Sequence, residues 1–433
     1  LYGRNATAGV VNLTSARPTD QFEAMASGEI GNYHQRRFEG MINLPITDDR
    51  LDIRIAGEWT KSQGYSFNQI TNERIDGRDL WSGRMTVGFK PTENLQTYLI
   101  WEHFSEDDDR IRSSKQLCKK DVPPASINGV DLYAASLNIF GAVSLSQDYL
   151  SQGCVATSLY GSDAFQVPYG FSLPYAVSAG VAGFANPDLD PYASTTQSTN
   201  LRVIESTIDP VYKAKNDIVE FNADYNISPT LTLTSQTAFN HDFIWATQDY
   251  NRFNTSSGFF EDDGTAPPFG RGAINNGVFC DPQLGCADRL VAQDLVKQHS
   301  WQASQEFRLA SNFSGPLNFT GGGNYLHYET EENYYVFINA LTAYALLGSG
   351  SGSAPDGGPR LYVPGVTDNS DCLRANGVTG GGWQTPIPGA VSTPTEVCIY
   401  VDPNPIDRVN DQGHNYFVSQ NPYVLNSYAA FGE

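Results

Sequence analysis

The chain has 433 residues, 27 of them basic and 48 acidic, and a formal net charge of −21. That balance excludes a nucleic-acid partner, because such a surface needs a basic footprint. Charged residues are only 17%, aromatics reach 12% and glycines number 40, a composition that favours strands, turns and bulges.

Residues 1–18 read LYGRNATAGVVNLTSARP. Gly3 to Gly9 is a small-residue turn, and Val10 to Thr14 is a short extended run. Arg17-Pro18 ends it, since proline donates nothing to a ladder and restricts the residue before it. A chain that opens inside such a motif, with no methionine or lead-in, is expected to be cut from a longer one. No apolar run approaches the roughly 18 residues of a membrane-crossing helix.

From Phe22 onward, segments of period-2 hydrophobicity alternate with polar, glycine-rich connections. Strict alternation marks a half-buried strand. Phe22, Ala24, Ala26, Gly28 and Ile30 share one face. A short polar link, 31–35, leads to Phe38, Gly40, Ile42 and Leu44. A turn at 45–49 follows, then Leu51, Ile53, Ile55, Gly57 and Trp59. The polar stretch 61–77 precedes Trp81, Gly83, Met85, Val87 and Phe89. The turn 91–94 leads into Leu95, Thr97, Leu99 and Trp101. The same unit recurs at 219–225 with 231–239, and at 301–309 with 317–325. Residues 425–433 form one more strand, with Ala429 and Phe431 on its outer face.

The connections carry the architecture. Short ones (45–49, 91–94, 228–230, 312–316) alternate with long ones (61–77, 105–216, 241–298, 330–424). A transmembrane β-barrel does this, with short periplasmic turns and long extracellular loops. One strand face is Leu, Ile, Val, Phe, Trp and Gly; the other is Asp, Glu, Arg, Asn, Gln and Ser. That fits apolar-to-lipid and polar-to-lumen. Trp59, Trp81, Trp101, Phe89 and Tyr225 stand near strand ends, where interfacial aromatics belong. The expected fold is therefore all-β: an antiparallel transmembrane β-barrel with long extracellular loops. It is partial, with about ten strands against the roughly 22 of plugged outer-membrane transporters.

The box formed by Tyr2, Gly3, Arg4, Asn5, Ala6, Gly9, Val11, Asn12 and Pro18 closely resembles the end of the plug domain of TonB-dependent outer-membrane receptors. The stretches GNY (31–33), GEWTKSQGY (57–65), QEFRLAS (305–311) and SYAAFGE (427–433) look like the same family. The resemblance implies the C-terminal end of a plug at 1–20 and the first part of a receptor barrel at 21–433. It implies a cell outer membrane of a Gram-negative bacterium, with membrane lipid around the barrel. It also implies a TonB complex acting through an absent N-terminal part, and a scarce small nutrient as ligand: a ferric siderophore first, an oligosaccharide or cobalamin-like compound otherwise. Arg4 and Arg17 resemble basic positions of the plug end and are expected to pair with lumen carboxylates such as Glu23, Glu39 or Glu58. A surface barrel without transport, a porin or adhesin, has no reason to carry the plug-end box. A soluble secreted β-protein would need an apolar interior.

No catalytic constellation stands out, so the chain reads as a non-enzyme without a cofactor. The six histidines are scattered without metal-ligand spacing. The cysteines fall as near neighbours, Cys118 with Cys154, Cys280 with Cys286 and Cys372 with Cys398. Pairing by proximity predicts local disulfides and an oxidising compartment. Glu106, Asp107, Asp108 and Asp109 open the longest loop, and an acidic run at 261–263 lies within another. Each is either a cation or cationic-substrate site, since hard cations want several carboxylate oxygens, or a solvated loop. Tyr334 and Tyr335 crowd the entry to the last long loop with Tyr325, Tyr328 and Phe337. They read as either a stacking surface for a ligand or as girdle and loop packing.

Overall fold

The computed structural model describes residues 14–47, 50–112, 114–131, 150–170, 191–250, 252–260, 277–347, 383–384, 396–397, 401–413 and 415–433. Ten strands form one antiparallel sheet whose spatial order is the chain order. They are β1 (Glu23–Ile30), β2 (Arg36–Thr47), β3 (Leu51–Ser62), β4 (Arg78–Thr92) and β5 (Leu95–Asp108). Then come β6 (Val211–Ser228), β7 (Leu231–Asp249), β8 (Ala292–Ser311), β9 (Thr320–Ile338) and β10 (Tyr416–Gly432). Because each strand pairs only with its sequence neighbours, the long connections all gather at one end of the sheet.

The short end is built from turn chemistry. Ser228 Oγ accepts from the Thr230 amide at 3.3 Å, and Asn318 Oδ1 accepts from the Phe313 amide at 2.6 Å. Adjacent turns are tied together: the Asn226 amide donates to Asn94 O, and the Asn312 amide donates to Thr230 O, both at 2.8 Å. Pro45 and Pro91 stand where the pairing register shifts, at the β2–β3 and β4–β5 junctions. There a missing ladder donor costs little.

The strands outrun their sequence signal. Period-2 alternation ends β5 near Trp101, yet its pairing with β6 continues to Asp108. β6 begins at Val211 rather than near 219, β7 runs to Asp249, β8 starts at Ala292 and β9 reaches Ile338. The long connections are correspondingly shorter than the sequence implies. At the other end β9 starts at Thr320, leaving Leu317 as exposed turn. Alternation reports a face that must be apolar. Beyond that zone a ladder needs only its backbone partners.

Register defines two faces. On one, Phe38, Trp59 and Trp81 share a row. Ile42, Ile55, Met85, Trp101, Val219 and Phe239 share a row four residues nearer the short end. Leu44, Ile53, Val87, Leu99 and Phe221 follow. Many of these are exposed, including Phe38, Ile55, Trp81, Leu99, Trp101, Val219, Phe221 and Phe239. The upper aromatic edge of this belt does not follow one row. Ser105 and Lys215 continue the Trp59–Trp81 row, and Trp101 lies four residues below it. Tilted strands crossing a flat apolar zone produce this step.

The other face, called inner here, holds Asn43, Thr86, Tyr98 and Thr234, all buried. Two departures from the alternation reading appear. The outer face of β7–β10 is interrupted by Ser235, Thr237, Gln305, His327 and Asn426, which hydrogen-bond one another: Thr237 Oγ1 to Gln305 at 2.6 Å, and His327 Nδ1 with Asn426 at 2.9 Å. The β9–β10 register also puts Ala429 and Phe431 on the inner face, and Val424 and Tyr428 outside. The reason is local. Phe431 covers Gly322, where an added Cβ would sit 2.7 Å from the ring and 2.4 Å from Phe307 O.

At the long end the connections interlock. Ser66–Asn68 pairs with Glu73–Ile75 and, in parallel, with Val203–Ile204. Asn68 Nδ2 donates to Ser206 O at 2.9 Å and to Asp209 Oδ1 at 2.8 Å. A hydrophobic core of Leu295, Tyr335, Phe337, Val409 and Tyr416 clamps residues 401–416 against the tips of β8 and β9.

Candidate functional site

The segment before β1 lies against the inner face. The Thr19 amide donates to Asn43 Oδ1 at 3.0 Å, and Asn43 Nδ2 donates back to Thr19 O at 2.8 Å and to Gln21 O at 2.6 Å. Pro18 approaches Gly88 beside Tyr98. Among the described residues Arg17 finds no carboxylate: its guanidinium stacks over the Tyr98 ring at 4.4 Å. The expected pairing of Arg17 with Glu23, Glu39 or Glu58 is thus overturned, because wall arginines already hold these acids. Arg54 pairs with Glu23 at 3.2 Å, and Arg37 forks onto Glu58 at 3.0 and 3.1 Å while also contacting Glu39. Tyr2, Gly3, Arg4, Asn5, Gly9 and Asn12 lie outside the described residues.

Between these pairs a cavity of about 250 Å³ opens on the inner wall, lined by Met25, Glu39, Met41, Ala56, Glu58, Ser82, Arg84 and Glu102. Arg84 Nε donates to Glu102 at 2.8 Å. The wall therefore offers arginine–carboxylate pairs with one carboxylate in excess, three arginines facing four glutamates, able to exchange partners with another polar segment.

At the long end, the acidic run is spent on the fold. Glu106–Asp108 belongs to β5 and not to a loop. Asp107 lies 3.5 Å from Lys213, which faces it across the ladder. Asp108 accepts the amides of Asp79 at 3.2 Å and Arg110 at 2.9 Å, and Asp109 accepts that of Gly77 at 2.6 Å. Glu106 is buried and accepts from Arg110 Nη2 at 3.0 Å. Among the described residues no group of three or more His, Cys, Asp or Glu is placed to hold a metal ion. The oxygens of Asp108 and Asp109 anchor the 63–77 connection to the end of β5. Burial first, then the neighbouring Asp108 carboxylate, pushes the Glu106 carboxyl up to about 7. The run at 261–263 lies outside the described residues.

Tyr334 and Tyr335 are separated by the sheet. Tyr334 turns to the inner side, where its hydroxyl donates to Asp294 Oδ2 at 3.3 Å. Arg112 pairs with the other oxygen of Asp294, and the Gln248 amide reaches it as well. Burial holds Asp294 above the usual carboxylate range, against the pull of Arg112. Burial and the Asp294 charge push the Tyr334 phenol up to about 12. Tyr335 is fully buried in the outer core, its hydroxyl donating to Asp411 at 2.6 Å. A shared stacking surface of these two rings is therefore excluded. Of the Asp294–Arg112–Tyr334 node only Tyr334 was marked in the sequence, and the Asn43 anchor was not. Both depend on pairs 40 or more residues apart in Asp294–Tyr334 and 24 apart in Thr19–Asn43, which no local pattern signals.

Cys118 and Cys154 form a disulfide with Cα atoms 5.1 Å apart, and Cys280 and Cys286 form another across a small hairpin, Phe279–Asp281 with Gly285–Ala287. Both lie within the long connections. Cys372 and Cys398 lie outside the described residues.

No family model matches the chain. Among solved structures, it is similar to the ferric yersiniabactin uptake receptor of Yersinia pestis: 11% identity, TM-score 0.43, covering 78% of this chain and 35% of that one. The siderophore receptor PiuA of Acinetobacter baumannii matches at 11% identity and TM-score 0.39, over 74% of this chain and 32% of its own. The closed form of the ferric-catecholate import receptor Fiu of E. coli K12 matches at 12% and 0.33, over 100% and 50%. The chain spans about a third to a half of the length of these proteins. Over most of its own length, and at low identity, it is similar to TonB-dependent siderophore receptors.

Proposed function

We propose that the chain is part of a TonB-dependent outer-membrane receptor that takes up a scarce nutrient, with a ferric siderophore as the ligand class. Residues 1–20 are the end of its plug, and residues 21–433 are the first part of its barrel. The observation that carries the reading is the pairing of two features. The outer face bears an exposed apolar belt stepped across the register rows, and the segment that follows the plug-end box is bonded to the opposite face through Asn43. A porin or adhesin gives no role to the second feature, and a soluble β-protein gives none to the first.

On this reading the long end faces outside the cell, where ligands are met, and the short end faces the periplasm. Connections on a rigid scaffold carry specificity. Here the interlocked connections surround the inner-side node of Arg112, Asp294 and Tyr334, which offers a guanidinium and a phenol to an incoming ligand. Arg17 on Tyr98 and Asn43 on Thr19 form the hinge at which a TonB-driven pull on the plug would act.

The test is uptake of radiolabelled iron chelates by iron-starved cells carrying or lacking the full-length gene. The proposal expects saturable uptake that disappears with the gene, with loss of the proton gradient, or with loss of TonB. Uptake of oligosaccharide or a cobalamin instead would move the ligand class while keeping the receptor. Uptake that is passive and independent of the proton gradient would contradict the receptor reading.

A further inference from the structure

Three connections at the long end meet in a cluster that shares no residue with the Arg112 node. The link between β1 and β2 reverses at Tyr33 and His34, both at positive φ, +58° and +54°. The Gln35 amide closes this turn on Asn32 O at 3.2 Å. Such a two-residue turn suits Asn-Gly, and an aromatic residue there is strained. The turn sets the Tyr33 ring against Arg74, whose guanidinium lies 5.5 Å from the ring centroid. The Tyr33 hydroxyl accepts from Arg202 Nη1 at 3.3 Å, and Arg202 stands 5.6 Å over the Tyr65 ring. Phe67, on the small three-stranded sheet, pairs with Arg74 and donates its amide to Arg202 O. Tyr33, Tyr65, Arg74 and Arg202 are all exposed. The nearby acids are engaged elsewhere. Asp76 is buried and pairs with Arg78 at 3.3 Å, Glu205 pairs with Lys115 at 3.4 Å, and Asp209 accepts from Asn68 and Thr71. Glu73 pairs with Asn68, so it stands on the other side of its strand from Arg74. Among the described residues no carboxylate lies within ion-pair distance of Arg74 or Arg202.

We propose that Arg74 and Arg202, set around Tyr33, bind a carboxylate-bearing ligand, which makes carboxylate iron chelates the favoured ligand class. The inference rests on the receptor reading given above and narrows it. Stability does not account for the cluster. Exposed cation–π contacts contribute little, and Asn68, Asp108 and Asp109 already hold the 63–77 connection. Each guanidinium has five N–H donors. The hydrogen bonds here use one apiece, on Gly64 O and on the Tyr33 hydroxyl. The remaining donors match a carboxylate fork to fork, through two parallel bonds. The Tyr33 and Tyr65 rings hold both guanidiniums in place beforehand, so less freedom is lost on binding. Charge selects the same class. A chain of net charge −21 repels an anion over most of its surface, and two uncompensated cations at the exposed end offer it a place to settle. A cationic hydroxamate chelate gains nothing from them.

The full-length protein in nanodiscs is titrated with ferric citrate, with iron-free citrate, and with ferrioxamine B, a hydroxamate chelate lacking a free carboxylate. Inorganic phosphate is the competitor. The expected result is that R74Q/R202Q weakens binding of both citrate forms by about tenfold or more. The preference for ferric citrate over ferrioxamine B should vanish in that variant and persist in R112Q. The single variant R202Q should lose part of it and serves if the double variant does not fold. Unchanged citrate binding in variants that retain the wild-type circular dichroism, or a wild-type preference for ferrioxamine B, would overturn the proposal. Displacement of citrate by equimolar phosphate would overturn the carboxylate assignment. Citrate binding that is lost in R74Q/R202Q, in a protein that takes up no iron chelate, would contradict the siderophore reading and support this site. Uptake of ferrioxamine B without binding of either citrate form would do the reverse.

Discussion

At the scale of single residues, a few buried or closely packed positions carry the contacts that matter. Asn43 is fully buried and holds Thr19 and Gln21 to the wall through their backbone groups, beside the bond of the Thr19 hydroxyl to Glu23 at 3.2 Å. Asn43→Ala leaves the Thr19 amide and the Thr19 carbonyl unpaired, a cost of about 1–3 kcal/mol. Hydrogen exchange at the Thr19 amide, which Asn43 Oδ1 accepts, should therefore accelerate severalfold, with the rest of the barrel unaffected; an unchanged exchange rate would remove Asn43 from its anchoring role. Gly322 is constrained from both sides, by Phe307 O and the Phe431 ring. Gly322→Ala should destabilise the β8–β10 edge by about 1–3 kcal/mol, read as a lowered urea midpoint. The companion F431A/G322A should recover part of the loss, since Phe431 is the movable neighbour.

At the scale of elements, the junction of β5 with the 63–77 connection should respond to pH. Glu106 titrates near 7 in the fold, above its ordinary carboxylate value, because burial and Asp108 disfavour the charge. Its raised value means that the folded state holds the proton more tightly than the unfolded one. The stabilising contribution is therefore complete at acid pH, below the ordinary value near 4.5, and is lost as the pH rises through about 7. Hydrogen exchange at Gly77 and Asp79, corrected for intrinsic rates, should be slower at pH 5 than at pH 8. Glu106→Gln should flatten that difference; a pH dependence that persists in the variant would assign it to another group.

The elements also show what a sequence can disclose. Alternation in β3 to β7 was legible because one face must be apolar across a fixed thickness, so the strands announce themselves there. Their extensions, such as 103–108 and 211–217, were not legible, because both faces are polar or covered by loops. The same period of 2 that located the strands also separates Tyr334 from Tyr335, and grouping them as one surface overlooked it. Ala429 and Phe431 fell on the wrong face since Gly322 lets an aromatic ring fold inward where alternation would place it outside.

For the whole molecule, the functional reading joins a membrane-embedded wall, a segment entering its inner side, and interlocked connections at one end. The wall was readable from the alternation of short and long connections. The long-end site was not, since Arg112, Asp294 and Tyr334 come from three distant parts of the chain. Truncating that node tests its part in ligand capture: Arg112→Gln should weaken chelate binding by about tenfold or more, given the worth of a charge-assisted hydrogen bond, with insertion into the membrane unchanged. Equal affinity in the variant would move the site elsewhere among the connections.

The central claim is that the stepped apolar face meets lipid and the Asn43 face does not. Spin labels on single cysteines introduced at Ile55, Val219 and Phe239, against Thr86 and Asn222, measure it most directly in the reconstituted full-length protein. The account predicts that labels at 55, 219 and 239 relax with dissolved oxygen and ignore a water-soluble nickel chelate, with the reverse at 86 and 222. Equal access of the nickel chelate to both sets would contradict it.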